Sequence, residues 1–293
     1  MSDKTDMSGG KDGGGSDPSP LHEGLIARLT SAFVLIPVSI AFVVAGGWWF
    51  ALSLVLVTSL MAFEWNRLVL GPDNRSKITL YFLVYTIFIV SALGLGLEGH
   101  WDLALWITAL AGGLCFLIAL GHKVNPIWAM MGVPYLFLPM MSFVWLRELE
   151  SPLVHGVTTI VWILLVVWGS DTGGYIAGKS IGGPKLAPRI SPNKTWSGFL
   201  GGLGLAMLGG LVIGLYVGQG NIFILILVSA GLSIVSQVGD LVESAIKRHF
   251  GVKDFSSLIP GHGGVFDRFD GLLFVLGAAG LLQLSHDGPL LIW

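Results

Sequence analysis

Nine long apolar stretches constrain the fold of this sequence more than any other feature. A helix needs about 20 predominantly apolar residues to cross the hydrocarbon core of a bilayer. Only 12% of the residues are charged and the mean hydropathy is +0.78, whereas soluble domains carry about 25% charged residues. We therefore predict an all-α fold, a polytopic membrane helical bundle with about nine transmembrane helices. The predicted spans are Ile26–Val44, Trp48–Trp65, Thr79–Leu97, Trp101–Leu120, Ile127–Leu146, Leu153–Trp168, Gly198–Val217, Ile222–Val242 and Gly271–Ser285.

The 16 Lys and Arg residues are distributed unevenly among the connections between these spans. If the N-terminus is cytoplasmic, every one of them except Arg147 falls on the inner side, as the positive-inside rule requires. The pattern predicts a cytoplasmic N-terminus and places Ser285–Trp293 outside. It also predicts that the polar connections which carry these residues lie on the cytoplasmic side of the membrane.

Two long polar connections, about Gly169–Ser197 and Glu243–Asp270, lie in the second half of the chain. We therefore expect residues 21–152 to be an N-terminal transmembrane scaffold and residues 153–293 a C-terminal transmembrane catalytic region. Residues 1–20, rich in Gly, Ser and Asp, are predicted to be a disordered cytoplasmic tail. The net charge of −2 favours no nucleic-acid partner.

Asp171 ends the sixth apolar stretch, where a carboxylate at membrane depth is costly. It would serve as a metal ligand or orient a cation. The structural alternative is a helix cap or an ion pair with a nearby Lys.

The basic residues after Asp171 stand among Gly, Ser and Thr. Freed backbone N–H groups with ammonium and guanidinium donors suit a polyphosphate, although positive-inside topology alone would also explain them. Ser191–Thr195 leads into a predicted helix, and a helix N-terminus is an anion site. The basic residues are Lys179, Lys185, Arg189 and Lys194.

A helical stripe at the end of the eighth span combines one carboxylate with a hydroxyl and cations. Asp240, Ser244 and Lys247 or Arg248 are spaced to share one face. Glu243 and Lys247 form an i, i+4 pair that we interpret as structural.

The segment before the ninth span is rich in Gly and Asp. Gly261, Gly263 and Gly264 would permit a close backbone approach to a ligand, and His262 between them either contacts phosphate or packs in the turn. Asp267 and Asp270 either cap the following helix or, through Asp267 with Asp240, hold a divalent cation. Hard oxygen ligands favour Mg²⁺ over zinc.

The run from Ser244 to Asp270 resembles the signature of the CDP-diacylglycerol synthases, also called phosphatidate cytidylyltransferases. Asp171-Thr-Gly-Gly-Tyr, Lys185-Leu-Ala-Pro-Arg-Ile-Ser-Pro-Asn-Lys-Thr-Trp and Ser236-Gln-Val-Gly-Asp resemble the same family in the same order. Gly174 and Ser197 depart from it, standing where Ala and Glu are frequent, so no acidic role is expected at Ser197.

The resemblance implies that CTP and phosphatidic acid react to give CDP-diacylglycerol and pyrophosphate in a membrane-lipid environment. It also implies Mg²⁺ dependence, K⁺ as a candidate helper ion, and a homodimer. Carried over by position, the metal ligands would be Asp240 and Asp267, with Asp171 assisting. The predicted catalytic residues are Asp240, Asp267, Lys247 and Arg268, and the predicted substrate-phosphate residues are Lys179, Ser191, Lys194, Thr195, Ser244, Arg248, His262, Gly263 and Gly264.

Two other functions make different demands on the sequence. A lipid kinase would require a general base for a hydroxyl nucleophile and would release a nucleoside diphosphate. A transporter or channel would require charges along the middle of the spans. Here the middle regions are nearly free of charge, and Glu64 lies near the end of a span with Arg67.

Overall fold

The computed structural model describes residues 37–149, 155–256, 258, 263–286 and 288–293. The described residues form a series of packed helices with one short antiparallel β-hairpin. The elements are α1 (residues 37–45), α2 (Gly47–Leu70), α3 (Arg75–Leu97), α4 (Trp101–His122), α5 (Pro126–Glu148), α6 (Gly156–Ser180), β1 (Lys185–Ala187), β2 (Ser191–Thr195), α7 (Trp196–Val217), α8 (Ile222–His249), a 3₁₀ turn (Phe266–Arg268) and α9 (Asp270–Leu284).

Seven of the described helices, α2 to α8, are long and apolar enough to cross a membrane. At 15 residues, α9 is shorter, and the predicted first span lies largely outside the described residues. The structure thus confirms the prediction of an all-α polytopic bundle. The predicted tail 1–20 lies outside the described residues, and the division at residue 152 stays a prediction.

The described parts of the two polar connections contain more regular secondary structure than the sequence indicates. Helix α6 continues through Asp171 to Ser180, and α8 continues to His249. What remains of the first connection folds into the antiparallel hairpin β1–β2, in which Lys185 pairs with Thr195. The hairpin was not predicted from the sequence.

Polar side chains fix where several helices begin. The Asn125 side chain accepts hydrogen bonds from Ile127 N and Trp128 N at the start of α5. Asn221 does the same for α8, and Thr195 Oγ1 accepts from Gly198 N at the start of α7. Each cap satisfies backbone donors that have no partner within the helix.

Arg147, the single basic residue predicted on the outer side, has a structural role. Its Nε and Nη2 donate to the carbonyls of Val43 and Val44 at the end of α1, each at 2.9 Å. The neighbouring Glu148 accepts a hydrogen bond from Gly47 N at the start of α2. A guanidinium at a helix C-terminus and a carboxylate at an N-terminus match the helix dipoles. The pair therefore secures the α1–α2 junction.

Helices α6 and α7 form the most extensive interhelical contact, and small residues make it possible. A Cβ at Gly198 would lie 2.8 Å from the carbonyl oxygen of Gly174, and one at Gly202 would lie 2.6 Å from that of Ser170. Because small residues let helix backbones approach closely in membranes, these glycines bring the polar end of α6 against the start of α7. That approach positions one wall of the cavity described next.

Candidate active site

A cavity of about 470 Å³ opens where α6, the β-hairpin, α7 and α8 meet. Its walls carry both carboxylates and ammonium groups, together with hydroxyls and amides. This combination can receive a ligand that bears phosphates and binds cations. The polar lining residues are Ser170, Asp171, Tyr175, Lys179, Asn193, Lys194, Thr195, Gln237 and Asp240.

An ion pair in the wall of the cavity joins two elements that are distant in the chain. Lys194 Nζ, from β2, donates to Asp240 Oδ2, from α8, at 2.8 Å. The side chains are 27% and 17% exposed, so both remain accessible from the cavity. The hairpin carries Lys194 to Asp240 because β2 runs directly into α7, which packs on α8.

Two further carboxylates surround this pair. Asp171 is exposed on α6 and interacts electrostatically with Asp240, Lys194 and Arg268. Asp270, the first residue of α9, interacts with Asp240 and Asp171. Three carboxyl groups thus lie near enough to influence one another, with Lys194 and Arg268 as the cationic groups beside them. A bound cation would reduce the repulsion among these carboxylates.

Lys179 lies at the exposed side of the cavity. Its Nζ donates to Tyr175 Oη at 3.2 Å and lies 5.5 Å from the centre of the Tyr175 ring. The ammonium group has no carboxylate partner among the described residues. It is therefore free to meet an incoming anion.

A second polar network is buried and consists of Glu243 and Lys247 from α8 together with Asp267. Lys247 Nζ lies 2.7 Å from Glu243 Oε2 and 2.8 Å from Asp267 Oδ1. The other oxygen of Asp267 accepts hydrogen bonds from Phe255 N at 3.1 Å and Gly264 N at 2.9 Å. Each oxygen of the Asp267 carboxylate thus accepts at least one hydrogen bond from the protein.

Glu64 joins this second network from α2. It is fully buried and accepts hydrogen bonds from Ser256 Oγ, Val265 N and Phe266 N. Glu64 is not among the site residues predicted from the sequence. The signal available in the sequence was a carboxylate inside an apolar span, which is costly unless something satisfies it.

The predicted site residues therefore fall into two groups. Asp171, Lys179, Lys194, Thr195 and Asp240 line the cavity. Lys247, Gly263, Gly264 and Asp267 belong to the buried network or border it; a Cβ at Gly263 would lie 3.1 Å from Asp267 Oδ2.

The remaining predicted residues lie outside both groups. Ser191 is half-buried in β2 and Ser244 is half-buried on α8, while Arg268 is exposed. Arg248 is exposed and donates to the carbonyl of Val252 at 3.2 Å. His262 lies outside the described residues.

The donor atoms at the cavity suit a hard divalent cation. They are carboxylate oxygens without sulfur or clustered imidazole, a set that suits Mg²⁺ rather than zinc. The hydroxyl of Ser236 is buried without a partner among the described residues and lies beside Asp240. Within the described ranges no group of three or more His, Cys, Asp or Glu is already arranged to hold an ion, so binding would require these side chains to move toward it.

Sequence comparisons identify the family to which these residues belong. Residues 26–284 match the profile of the cytidylyltransferase family. The chain belongs to that family. Proteins named phosphatidate cytidylyltransferase from Brucella suis biovar 1 and Brucella abortus biovar 1 are each 38% identical over 260 residues, which is 89% of this chain and 92% of theirs. A protein of the same name from Staphylococcus haemolyticus is 46% identical over 159 residues, covering 54% of this chain and 59% of that protein.

Both groups of residues lie within the range that matches the cytidylyltransferase family. The matched range includes every element that contributes to the cavity and to the buried network. It also includes α2, so Glu64 lies within the matched range and is not part of an added segment.

Proposed function

We propose that this member of the cytidylyltransferase family is a phosphatidate cytidylyltransferase, which makes CDP-diacylglycerol and pyrophosphate from CTP and phosphatidic acid for phospholipid biosynthesis. The observation that carries the proposal is the 38% identity to a protein of that name over 92% of its length. The cavity supports it, because carboxylates and ammonium groups converge there on a membrane-spanning bundle.

The reaction requires no nucleophilic side chain. The phosphate monoester of phosphatidic acid has its second pKa near 6 and is largely dianionic at neutral pH. One of its oxygens forms a bond to the α-phosphorus of CTP, and the bond from that phosphorus to the oxygen that links it to the β-phosphorus breaks. The leaving pyrophosphate keeps the electron pair. The chief barrier is repulsion between anions and the need for in-line placement.

The basic residues of the cavity address that repulsion. Lys194 is held by Asp240 and points into the cavity, and Lys179 stands at its exposed side. An arriving triphosphate would share Lys194 with Asp240 and recruit Lys179. Charge-assisted hydrogen bonds of this kind are stronger than neutral ones, so both lysines would contribute to binding and orientation.

We propose Mg²⁺ as the cofactor, held by Asp240 and Asp171, with Asp267 as a further predicted ligand. When bound, the ion would neutralise phosphate charge and favour departure of pyrophosphate. Asp267 already accepts hydrogen bonds from Lys247 and two backbone N–H groups, and an ion at this carboxylate would compete with them. K⁺ as a second ion and a homodimeric assembly are proposals that rest on the family resemblance.

We propose that the protein spans the inner membrane many times with the cavity on the cytoplasmic side. The lipid substrate does not leave the bilayer cheaply, while CTP is dissolved in the cytosol, so the reaction belongs at the inner interface. The Lys and Arg distribution supports a cytoplasmic N-terminus. Labelling of a cysteine introduced at Ser180 tests this, because Cys115, the single native cysteine, is buried. Reaction with a membrane-impermeant reagent in intact cells would contradict the proposed side.

Purified protein in detergent, supplied with labelled CTP, phosphatidic acid and Mg²⁺, tests the activity itself. We expect CDP-diacylglycerol and pyrophosphate in equal amounts. Release of CDP in place of pyrophosphate would indicate a kinase, and absence of any lipid-linked cytidine product would overturn the proposal.

A further inference from the structure

Glu64 is a fully buried carboxylate on α2, far in sequence from the segment it contacts. Its Oε1 accepts hydrogen bonds from Ser256 Oγ at 2.5 Å and Val265 N at 2.9 Å, and its Oε2 accepts from Phe266 N at 2.8 Å. All three donors belong to the segment between α8 and α9. Arg67, one helical turn away, does not share these contacts in the described part of the chain.

This arrangement is an unusual way to satisfy a carboxylate inside a membrane protein. A buried charge is expensive unless it is paired or fully hydrogen-bonded. Here two consecutive backbone N–H groups at the start of a 3₁₀ turn and one hydroxyl take the place of a cation. Such donors fix the position and direction of the backbone, which an apolar contact would not do.

The backbone that Glu64 holds carries predicted site residues. Val265 and Phe266 immediately precede Asp267 and Arg268. On the other side, a Cβ at Gly264 would lie 2.7 Å from Glu64 Oε1. The glycine is therefore needed for the close approach of Glu64. Gly264 also donates its N–H to Asp267. Glu64 and Asp267 therefore both contact the same short turn.

Aromatic rings from α2 and α5 in the N-terminal half also pack against this turn. The Trp65 ring stacks on Phe266 with ring centres 5.9 Å apart. Phe255 stacks on the Phe266 ring at 4.2 Å, and Tyr135 of α5 contacts it at 5.4 Å. The 3₁₀ turn is thus enclosed by α2 and α5, which belong to the predicted scaffold.

We propose that Glu64 is a positioning residue for the reaction: it fixes the turn that carries Asp267 and Arg268 by accepting hydrogen bonds from that turn's backbone. The proposal rests on the proposed function and adds to it a residue of the N-terminal half. Glu64 does not touch the cavity, and it acts through the geometry of the turn.

The test compares Glu64→Gln with a matched control, Glu148→Gln. The amide of Gln has the shape of the carboxylate but replaces one acceptor oxygen with a donor, which would face an N–H group or the Ser256 hydroxyl. Glu148 also accepts a backbone N–H from another helix, Gly47 N at 2.8 Å, but at the opposite end of α2. The readouts are kcat and KM for CTP, and deuterium uptake of the peptide covering residues 255–268.

We expect Glu64→Gln to lower kcat about 10- to 100-fold, because a misplacement of about 1 Å costs about that much. KM for CTP should change less than about threefold, and deuterium uptake should rise in the 255–268 peptide while that of α7 stays the same. Glu148→Gln should keep kcat within about twofold of the unmodified protein. If Glu64→Gln does not fold, Gly264→Ala disturbs the same contact from the other side and should give the same pattern.

Three results would overturn the inference: kcat within twofold of the unmodified protein, unchanged deuterium uptake in the 255–268 peptide, or an equal loss of kcat in Glu148→Gln. An unmodified protein that makes no CDP-diacylglycerol would instead defeat the proposed function. The deuterium measurement would still decide whether Glu64 holds the turn.

Discussion

The cavity and the turn before α9 both use acidic residues, but they satisfy them differently. In the cavity, Asp240 has one ammonium partner, and Asp171 is exposed beside it. In the turn, Asp267 accepts three hydrogen bonds from the protein, and Glu64 also accepts three. The cavity therefore keeps acceptor oxygens available, whereas the carboxylate oxygens at the turn already accept hydrogen bonds from the protein.

This difference separates two tasks that look alike in the sequence. A carboxylate with unused oxygens at the wall of a cavity can bind a cation or orient a ligand. A buried carboxylate surrounded by backbone donors fixes a backbone, because removing it would leave those donors unsatisfied. Substitutions in the two regions should consequently differ in whether they change activity alone or activity together with stability.

The largest effect on activity is expected from Asp240→Asn. The change removes the charge that faces Asp171 and holds Lys194, so kcat/KM should fall about 10²- to 10³-fold, as for other groups that stabilise charge in the transition state. The free energy of unfolding should change by less than about 1 kcal/mol, because the Lys194–Asp240 pair is partly exposed.

Asp102→Asn provides the matched control for Asp240→Asn. Asp102 is an exposed carboxylate in the first turn of α4, at the opposite end of the bundle. Initial rates of CDP-diacylglycerol formation should match those of the unmodified protein. An Asp240→Asn protein with full activity would show that the cavity is not the reaction site.

Asp267→Asn should lower activity less, by about 10- to 100-fold, but should also destabilise the fold. Lys247 would lose one of its two carboxylate partners in a buried setting, and breaking a buried pair costs roughly 3–5 kcal/mol. Unfolding in detergent, followed by tryptophan fluorescence, measures the stability term. If the Asp267→Asn protein were as stable as the Asp240→Asn protein, the two regions would not differ in their contribution to stability.

The smallest effect is expected from Lys179→Gln. Lys179 is exposed at the rim of the cavity and contacts only Tyr175 among the described residues. Loss of an exposed charge contact costs up to about 1 kcal/mol, so KM for CTP should rise about fivefold with kcat nearly unchanged. A fall in kcat comparable to that of Asp240→Asn would place Lys179 at the reacting phosphates rather than at the rim.

The sequence by itself determined the fold class and indicated several of the polar residues that line the cavity. Long apolar stretches allow only helices in a bilayer, because every backbone polar group must be satisfied within its own segment. The i, i+4 pair Glu243–Lys247 followed from local spacing and is confirmed. The position of Ser191–Thr195 directly before a helix was also predicted, and β2 does run into α7. Cytidylyltransferase membership agrees with the resemblance of the polar segments.

Tertiary structure alone decided which of those residues meet. The hairpin that carries Lys194 to Asp240, 46 positions away, leaves no periodic signal in so short a polar segment. The contact of Glu64 with Val265 spans 201 positions and depends on how α2 packs beside the 3₁₀ turn. Long apolar stretches fix helices because the backbone hydrogen bonds of a helix are local. Pairing between distant polar groups is set by packing, and each such group must find its partner in space rather than in sequence.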